Sequence, residues 1–314
     1  MNQDISICVL TENEMGWTEP FELDKVQILD NYYLSAQKSD IAFLKKMDTA
    51  RLLAGFRTTA GIDTKGVRPY GGWEDSLLGG HCVGHYLTAL AQAVKVTGDK
   101  ELKEKSQTLI AGLEECQKKL GTGFLFGAKV EDKEDVEKQF DILEGKKKGE
   151  TWVPWYNMHK VLAGLVDTYK YTGNETALLV AEKLGDWIYE RVSKWDLKTN
   201  QKVLETEYGG MNDCLYELYS YSHNKHHLEA AQKFDEKALF LMAAKGEKNC
   251  LDGKHANTQI PKFIGAIKRY NVLKQLGEAK QEDEAYLVDA EKFFEMVVKR
   301  HSFVTGGISV MEHF

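Results

Sequence analysis

Two distant stretches of the chain repeat one local event: an amphipathic segment of helical period stops at a Thr-Gly-Asp or Thr-Gly-Asn triplet, and a second amphipathic segment follows at once. Gly84 to Val96 turns at Thr97-Gly98-Asp99 and returns along Glu101 to Cys116; Met158 to Tyr171 turns at Thr172-Gly173-Asn174 and returns along Ala177 to Val192. A Gly at the end of each first segment suits the left-handed cap of a helix C-terminus. A third copy runs from Met211 to Tyr221, turns through Ser222-His223-Asn224 and returns along His227 to Leu241. A fourth runs from Ile260 to Leu276 and returns along Glu284 to Arg300. A further helix is expected from Ser39 to Gly55. Period-2 alternation is confined to Ile5–Leu10 and Phe124–Val130, and only 4 prolines interrupt the chain, so a helical repeat architecture is the expectation.

The two members of each hairpin differ. First members are rich in small residues and begin with His81, His85, Tyr156, His159, Asn212, Asp213, Thr258 and Gln259; second members carry dense Lys/Glu faces. This pattern predicts an inner ring of first helices opening at one mouth and an outer, solvated ring: an all-α fold, an (α/α)6 toroid of helical hairpins. About nine helices are legible against the twelve of a complete toroid. The expectation is therefore one domain over residues 1–314 that lacks roughly its last three helices.

The net charge of −7 and a pI near 5.8 exclude a generally basic nucleic-acid or anionic-membrane binder. With 43% hydrophobic and 28% charged residues, a large core is affordable in composition. Residues 1–10 lack the basic and apolar regions of a signal peptide, and no stretch reaches the about 20 apolar residues of a membrane span, so a cytoplasmic protein is expected. The 5 cysteines include no C-x-x-C pair, so neither a disulfide framework nor a zinc ribbon is legible.

The loops ahead of the first helices couple paired glycines to acidic, aromatic or imidazole groups: Tyr70-Gly-Gly-Trp73-Glu74-Asp75, Gly79-Gly80-His81-Cys82-Val83-Gly84-His85, Glu205-Thr-Glu207-Tyr208-Gly-Gly-Met211-Asn212-Asp213, and Gly306-Gly307-Ile-Ser-Val-Met-Glu312-His313. Glycine pairs let backbone approach a ligand, and aromatic rings beside carboxylates and amides suit a sugar, which stacks one face and needs polar partners for its hydroxyls. Trp73, Trp152, Trp155, Tyr156 and Tyr208 are the candidate stacking residues. His81 and His85 stand at i, i+4, a metal-ligand spacing, but without a third ligand in register they are read as hydrogen-bonding imidazoles, and no metal site is assigned. His226-His227 reads as a solvated turn. Glu312, after Gly-Gly and an apolar run, is the expected proton donor, with partial burial raising its pKa. Glu207 and Asp75 are alternative carboxylates, read as hydroxyl binders.

Several of these segments, in order along nearly the whole chain, resemble one family. They are Phe21-Glu-Leu-Asp-Lys-Val-Gln-Ile-Leu-Asp, Arg51-Leu-Leu-Ala-Gly-Phe-Arg57, Tyr70-Gly-Gly-Trp-Glu, Gly84-His-Tyr-Leu, Val153-Pro-Trp-Tyr-Asn-Met-His-Lys160, Tyr208-Gly-Gly-Met-Asn-Asp213, His255-Ala-Asn-Thr-Gln-Ile-Pro-Lys262 and Thr305-Gly-Gly-Ile-Ser-Val-Met-Glu-His-Phe314. The resemblance is to the beta-L-arabinofuranosidases of glycoside hydrolase families 127 and 146. It implies an (α/α)6 barrel, usually followed by β-sandwich domains, and retaining hydrolysis of L-arabinofuranosides in plant glycans. It implies Glu312 as general acid/base, His159 as the His after the Trp-Tyr motif, and sugar contacts from Glu207, Asn212, Asp213, His255, Asn257, Thr258 and Gln259. The partner is then an oligosaccharide or glycan containing L-arabinofuranose. The resemblance also implies a zinc-bound Cys nucleophile, whose motifs lie downstream of the Gly-Gly…Glu loop; no cofactor is expected within residues 1–314, and this chain alone is expected to be inactive. Two other readings fit the residues: a non-catalytic glycan-binding toroid, and another toroid sugar enzyme such as an epimerase or an unsaturated glucuronyl hydrolase.

Overall fold

The structure, a computed structural model, describes residues 20–247 and 250–314. Among them run α1 (Asn31–Lys46), α2 (Thr49–Thr59), α3 (His81–Thr97), α4 (Lys100–Leu120), α5 (Lys138–Leu143), α6 (Pro154–Thr172), α7 (Glu175–Val192), α8 (Leu197–Leu204), α9 (Met211–Ser222), α10 (Lys225–Lys233), α11 (Lys237–Ala244), α12 (Ala256–Gln275) and α13 (Glu284–Met296). The hairpin turns work as the sequence predicts. Gly98 and Gly173 both take φ +67°, and the next residue caps the returning helix, with Asp99 accepting from the Leu102 amide at 3.1 Å and Asn174 from the Ala177 amide at 3.1 Å. The third turn uses His223 at φ +51°, a left-handed position without glycine that costs about 1–2 kcal/mol.

Two layers result. α3 packs on α6, α6 on α9 and α9 on α12, forming an inner arc in chain order; α4, α7 and α10 follow outside, each against its own hairpin partner, while α11 and α13 close the outer layer over α12. This is the all-α toroid architecture expected. Its core lies between the layers around α6: the fully buried Trp155 ring sits 4.9 Å from Phe140, 5.1 Å from Phe234 and 5.5 Å from Trp195.

Several local expectations are corrected. The single helix over Ser39–Gly55 is two, because Asp48 is extended and accepts the Ala50 amide at 2.8 Å, restarting the helix. The third returning segment is likewise α10 and α11, interrupted where Asn200 donates to the Lys233 carbonyl at 2.7 Å. Phe124–Val130 forms no strand: its aromatic residues fill the core from an extended loop. Ile5–Leu10 lies outside the described residues. Trp155 and Tyr208 are core, not stacking surfaces, and His227 is buried, with Ser222 Oγ 2.7 Å from its Nδ1.

The closest inner contact is glycine on backbone. A Cβ on Gly84 would lie 1.9 Å from the Lys160 carbonyl oxygen, and one on Gly164 would lie 2.5 Å from the Gly84 carbonyl oxygen. Neither neighbour is a movable side chain, so the α3–α6 crossing exists only without those methyl groups. Gly84→Ala is expected to lower unfolding free energy by about 3 kcal/mol, measured as a urea midpoint, whereas Lys118→Ala on exposed α4 is expected to stay within about 0.5 kcal/mol.

Candidate functional site

Because hairpin turns are short and inner helices pack in sequence, the N-terminal ends of α3, α6, α9 and α12 share one rim. The rim can be followed residue by residue. The exposed Trp73 ring lies 6.3 Å from the His81 ring, which lies 6.0 Å from His85 and 6.4 Å from Tyr156; Tyr156 lies 6.5 Å from His159. Burial raises the pKa of the Tyr156 phenol, and the neighbouring Asn257 side chain opposes that shift; Asn257 Nδ2 donates to Glu207 Oε1 at 3.3 Å. His255 then links the two carboxylates of this end: its Nδ1 is 3.8 Å from Glu207 Oε2 and its Nε2 is 3.4 Å from Glu312 Oε2. Thr258 Oγ1 lies 2.7 Å from the same Nδ1.

Glycines make these approaches possible. A Cβ on Gly209 (φ +58°) would stand 2.4 Å from His159 Nδ1, and the Gly210 amide donates to that nitrogen at 3.0 Å. His159 therefore carries any ring proton on Nε2. The C-terminal segment is tied down by the Ala256 amide, which donates to the Glu312 carbonyl at 2.8 Å, and by the Phe314 amide, which donates to the Lys254 carbonyl at 3.0 Å. Glu312 itself adopts φ +68°, a conformation rare for a side-chain-bearing residue. Its carboxylate is 81% exposed, which corrects the expectation of partial burial: Ile308 packs on the core, but Val310 and Met311 face outward with Glu312.

The other expected residues divide. His81 and His159 are buried at the rim's inner edge. Asp75 is exposed, while its neighbour Glu74, unremarked as a site residue, turns inward to accept from the Gly80 amide at 2.9 Å and the Cys82 amide at 3.2 Å. Asn212 is fully buried, and its amide is spent on Asp235 Oδ1 at 3.3 Å, the Lys262 carbonyl at 3.1 Å and the Asp213 amide at 3.0 Å; it packs beneath the rim. Asp213 and Gln259 each have a buried oxygen without a hydrogen-bond partner. Further along the inner helices, Lys170 pairs with Glu217 at 2.8 Å and Lys268 also pairs with Glu217. Lys160, whose Nζ lies 4.8 Å from the centre of the Tyr156 ring, joins the rim; the Trp-Tyr-Asn-Met-His-Lys motif contains it, and its place on the same helical face as Tyr156 (i, i+4) is the signal that identifies it. The cleft between α4 and α7 lined by Ser106, Glu114 and Asn174 lies on the outer wall away from these residues.

Burial sets the protonation of the rim. Desolvation, then the positive Lys160, lowers the His85 pKa to about 4 and drives that of His159 well below the ordinary imidazole value. Burial raises Glu207, opposed by His255, and lowers Lys160. Burial lifts Asp213 to about 6. His85 and His159, kept neutral by burial, and the amides of the rim can donate and accept hydrogen bonds to hydroxyls.

The His85 shift has a testable sign. Its folded pKa lies below the unfolded 6.5, so its contribution to stability is intact above pH 6.5 and is lost as pH falls through about 4, because only the unfolded chain binds the proton in between. The His85 imidazole resonance is expected to titrate near 4; a midpoint at the ordinary value of about 6.5 contradicts the packing described.

Against known proteins, the family model described as beta-L-arabinofuranosidase, GH127 catalytic domain, matches residues 25–314. Two similar solved structures are Ara127N, a GH127 beta-L-arabinofuranosidase from Geobacillus stearothermophilus T6, and the GH127 beta-arabinofuranosidase BT3674. The first is 16% identical with a TM-score of 0.57 over 90% of this chain and 47% of its own; the second is 16% identical with a TM-score of 0.58 over 93% and 45%. At that identity the likeness concerns the fold, and the chain spans a little under half the length of either structure. No curated protein matches the sequence. Among the described residues no helix is long and apolar enough to cross a membrane. With the family model covering nearly all of its length, the chain belongs to the GH127 beta-L-arabinofuranosidase catalytic-domain family.

Proposed function

We propose that residues 1–314 form the barrel portion of a retaining glycosidase that releases β-linked L-arabinofuranose from plant glycans, with Glu312 as its general acid/base. One observation carries the reading: aromatic, imidazole, amide and carboxylate groups from α3, α6, α12, the loops ahead of the inner helices and the C-terminal loop follow one another along a rim from Trp73 to Glu312. A furanose ring stacks on Trp73 or Tyr156 while its hydroxyls engage His85, Glu207, Asn257 and Gln259. Glu312 protonates the departing glycosidic oxygen and later takes a proton from the attacking water.

The family resemblance also calls for a zinc-held thiolate. Cys116, Cys214 and Cys250 are buried among apolar side chains, where desolvation pushes thiols up, Cys116 to about 12, and Cys82, half-buried at the start of α3, lies ahead of the Gly-Gly…Glu loop and outside the motifs that the resemblance implies; these residues do not fit that role. We assign the nucleophile to sequence outside residues 1–314, together with the remaining helices of the toroid, and derive no step through it. On this reading the 314-residue chain binds substrate without turning it over.

The exposure of Glu312 favours one second reading, a glycan-binding toroid without catalysis, because an acid open to water lacks the burial that poises a proton donor. The longer gene product separates the two. It is expected to hydrolyse an aryl β-L-arabinofuranoside, and Glu312→Gln is expected to lower kcat by about a hundredfold or more with little change in substrate binding. Equal turnover by Glu312→Gln removes Glu312 from the mechanism, and binding without any turnover by the wild type supports the binder.

A further inference from the structure

Glu74, His81 and Cys82 offer three metal-ligating atoms that lie within 4.8 Å of one another at the N-terminus of α3. The cluster is built rather than incidental. Gly72 at φ +71° and Gly80 at φ +93° fold residues 72–80 back on themselves, so that the inward Glu74 carboxylate meets the first turn of the helix. His81 Nδ1 faces the Leu78 carbonyl at 2.9 Å and Glu74 Oε1 at 2.8 Å. The ring proton is thereby placed on Nδ1, which leaves Nε2 as the open lone pair, and Cys82 Sγ stands 3.6 Å from it. A ligating histidine is ordinarily oriented in this way, its second nitrogen donating to a carbonyl or carboxylate.

We propose that this cluster is a binding site for a zinc-like divalent cation, held by His81 Nε2 and Cys82 Sγ, with Glu74 at the other ring nitrogen orienting the imidazole and balancing charge. Three arguments support it. The sulfur-to-nitrogen separation is what two ligands of one tetrahedral zinc span, about 3.5 Å for bonds of about 2.3 and 2.0 Å. The donor pair of thiolate and imidazole suits zinc over calcium or magnesium. One thiolate and one carboxylate neutralise a dication, as a largely buried site requires, both Glu74 and His81 being less than a tenth exposed. On binding, the cation replaces the Cys82 thiol proton, which leaves to solvent; without it, burial and the neighbouring Glu74 hold the thiol protonated with a pKa near 12. Two direct protein donors leave coordination positions for water or ligand hydroxyls. The site is distinct from the zinc-held nucleophile that the family resemblance implies, whose motifs are not these residues.

The test is cobalt titration of the chelator-treated chain, with circular dichroism confirming that each variant is folded. The wild type is expected to bind one cobalt per chain with a thiolate-to-cobalt absorption band, and to release it to zinc. Cys82→Ser is expected to abolish the band, Glu74→Gln to weaken binding by about ten- to a hundredfold, and Cys250→Ser to leave both unchanged. A folded wild type without the band, or a band that survives Cys82→Ser, overturns the proposal. The readout is metal binding and not hydrolysis, so its failure leaves the glycosidase reading intact, and an inactive longer enzyme leaves this site intact.

Discussion

The architecture depends on a contact in which nothing but backbone is involved. Gly84 of α3 and Gly164 of α6 lie so close to the carbonyls of Lys160 and Gly84 that a single methyl group has no room. That crossing sets the distance between the first two inner helices, and with it the separation of His81 and His85 from Tyr156 and His159. A glycine also makes room one helix further on, there for a side chain: a Cβ on Gly265 of α12 would meet the Asn212 amide group of α9. Small residues on the inner faces are thus what allows the helix ends to gather into a single rim.

Polar groups buried behind the rim fix its far half. Arg269 of α12 reaches Asp283 at 2.7 Å, Asp235 at 3.1 Å and the Tyr286 hydroxyl at 2.9 Å, while Asp235 accepts from the Tyr216 hydroxyl at 2.7 Å and from Asn212. The network ties α9, α12 and α13 to the segment between α10 and α11. Losing one partner of such a group strands the others without water, at a cost of about 3–5 kcal/mol. Asn212 serves this network, which explains why an amide in a motif that reads as sugar-binding is fully buried. Arg191 plays the equivalent part on the outer wall, pairing with Glu144 at 2.6 Å and Glu137 at 2.9 Å. The rim can therefore carry open polar groups because the layer beneath it is satisfied and stiff.

The hairpins were legible because their turns depend on local chemistry: a residue free to adopt positive φ, then an Asp or Asn cap. Breaks inside helices were harder to read: Asp48 caps α2 by the same local chemistry but within an apolar period that runs on through it, and Asn200 acts through a contact 33 residues away in sequence. The choice between Glu74 and Asp75 was equally hidden; adjacent carboxylates look alike in sequence, and the fold-back at Gly72 and Gly80 decides which turns in. His227 reads as a solvated turn residue until Gly185 of α7 makes room for its ring, 2.7 Å from where a Cβ would sit. Aromatic residues were the least informative single signal, because Trp155 and Tyr208 fill the core with the same ring that Trp73 presents to solvent.

The central claim is that residues from Trp73 to Glu312 form one ligand surface. Side-chain resonances of Trp73, His85, Tyr156 and His255, followed by NMR while a β-L-arabinofuranosyl oligosaccharide is added to the chain, test it directly. The account predicts that all four move together with a common midpoint. Movement at one end of the rim alone, or separate midpoints at its two ends, contradicts it.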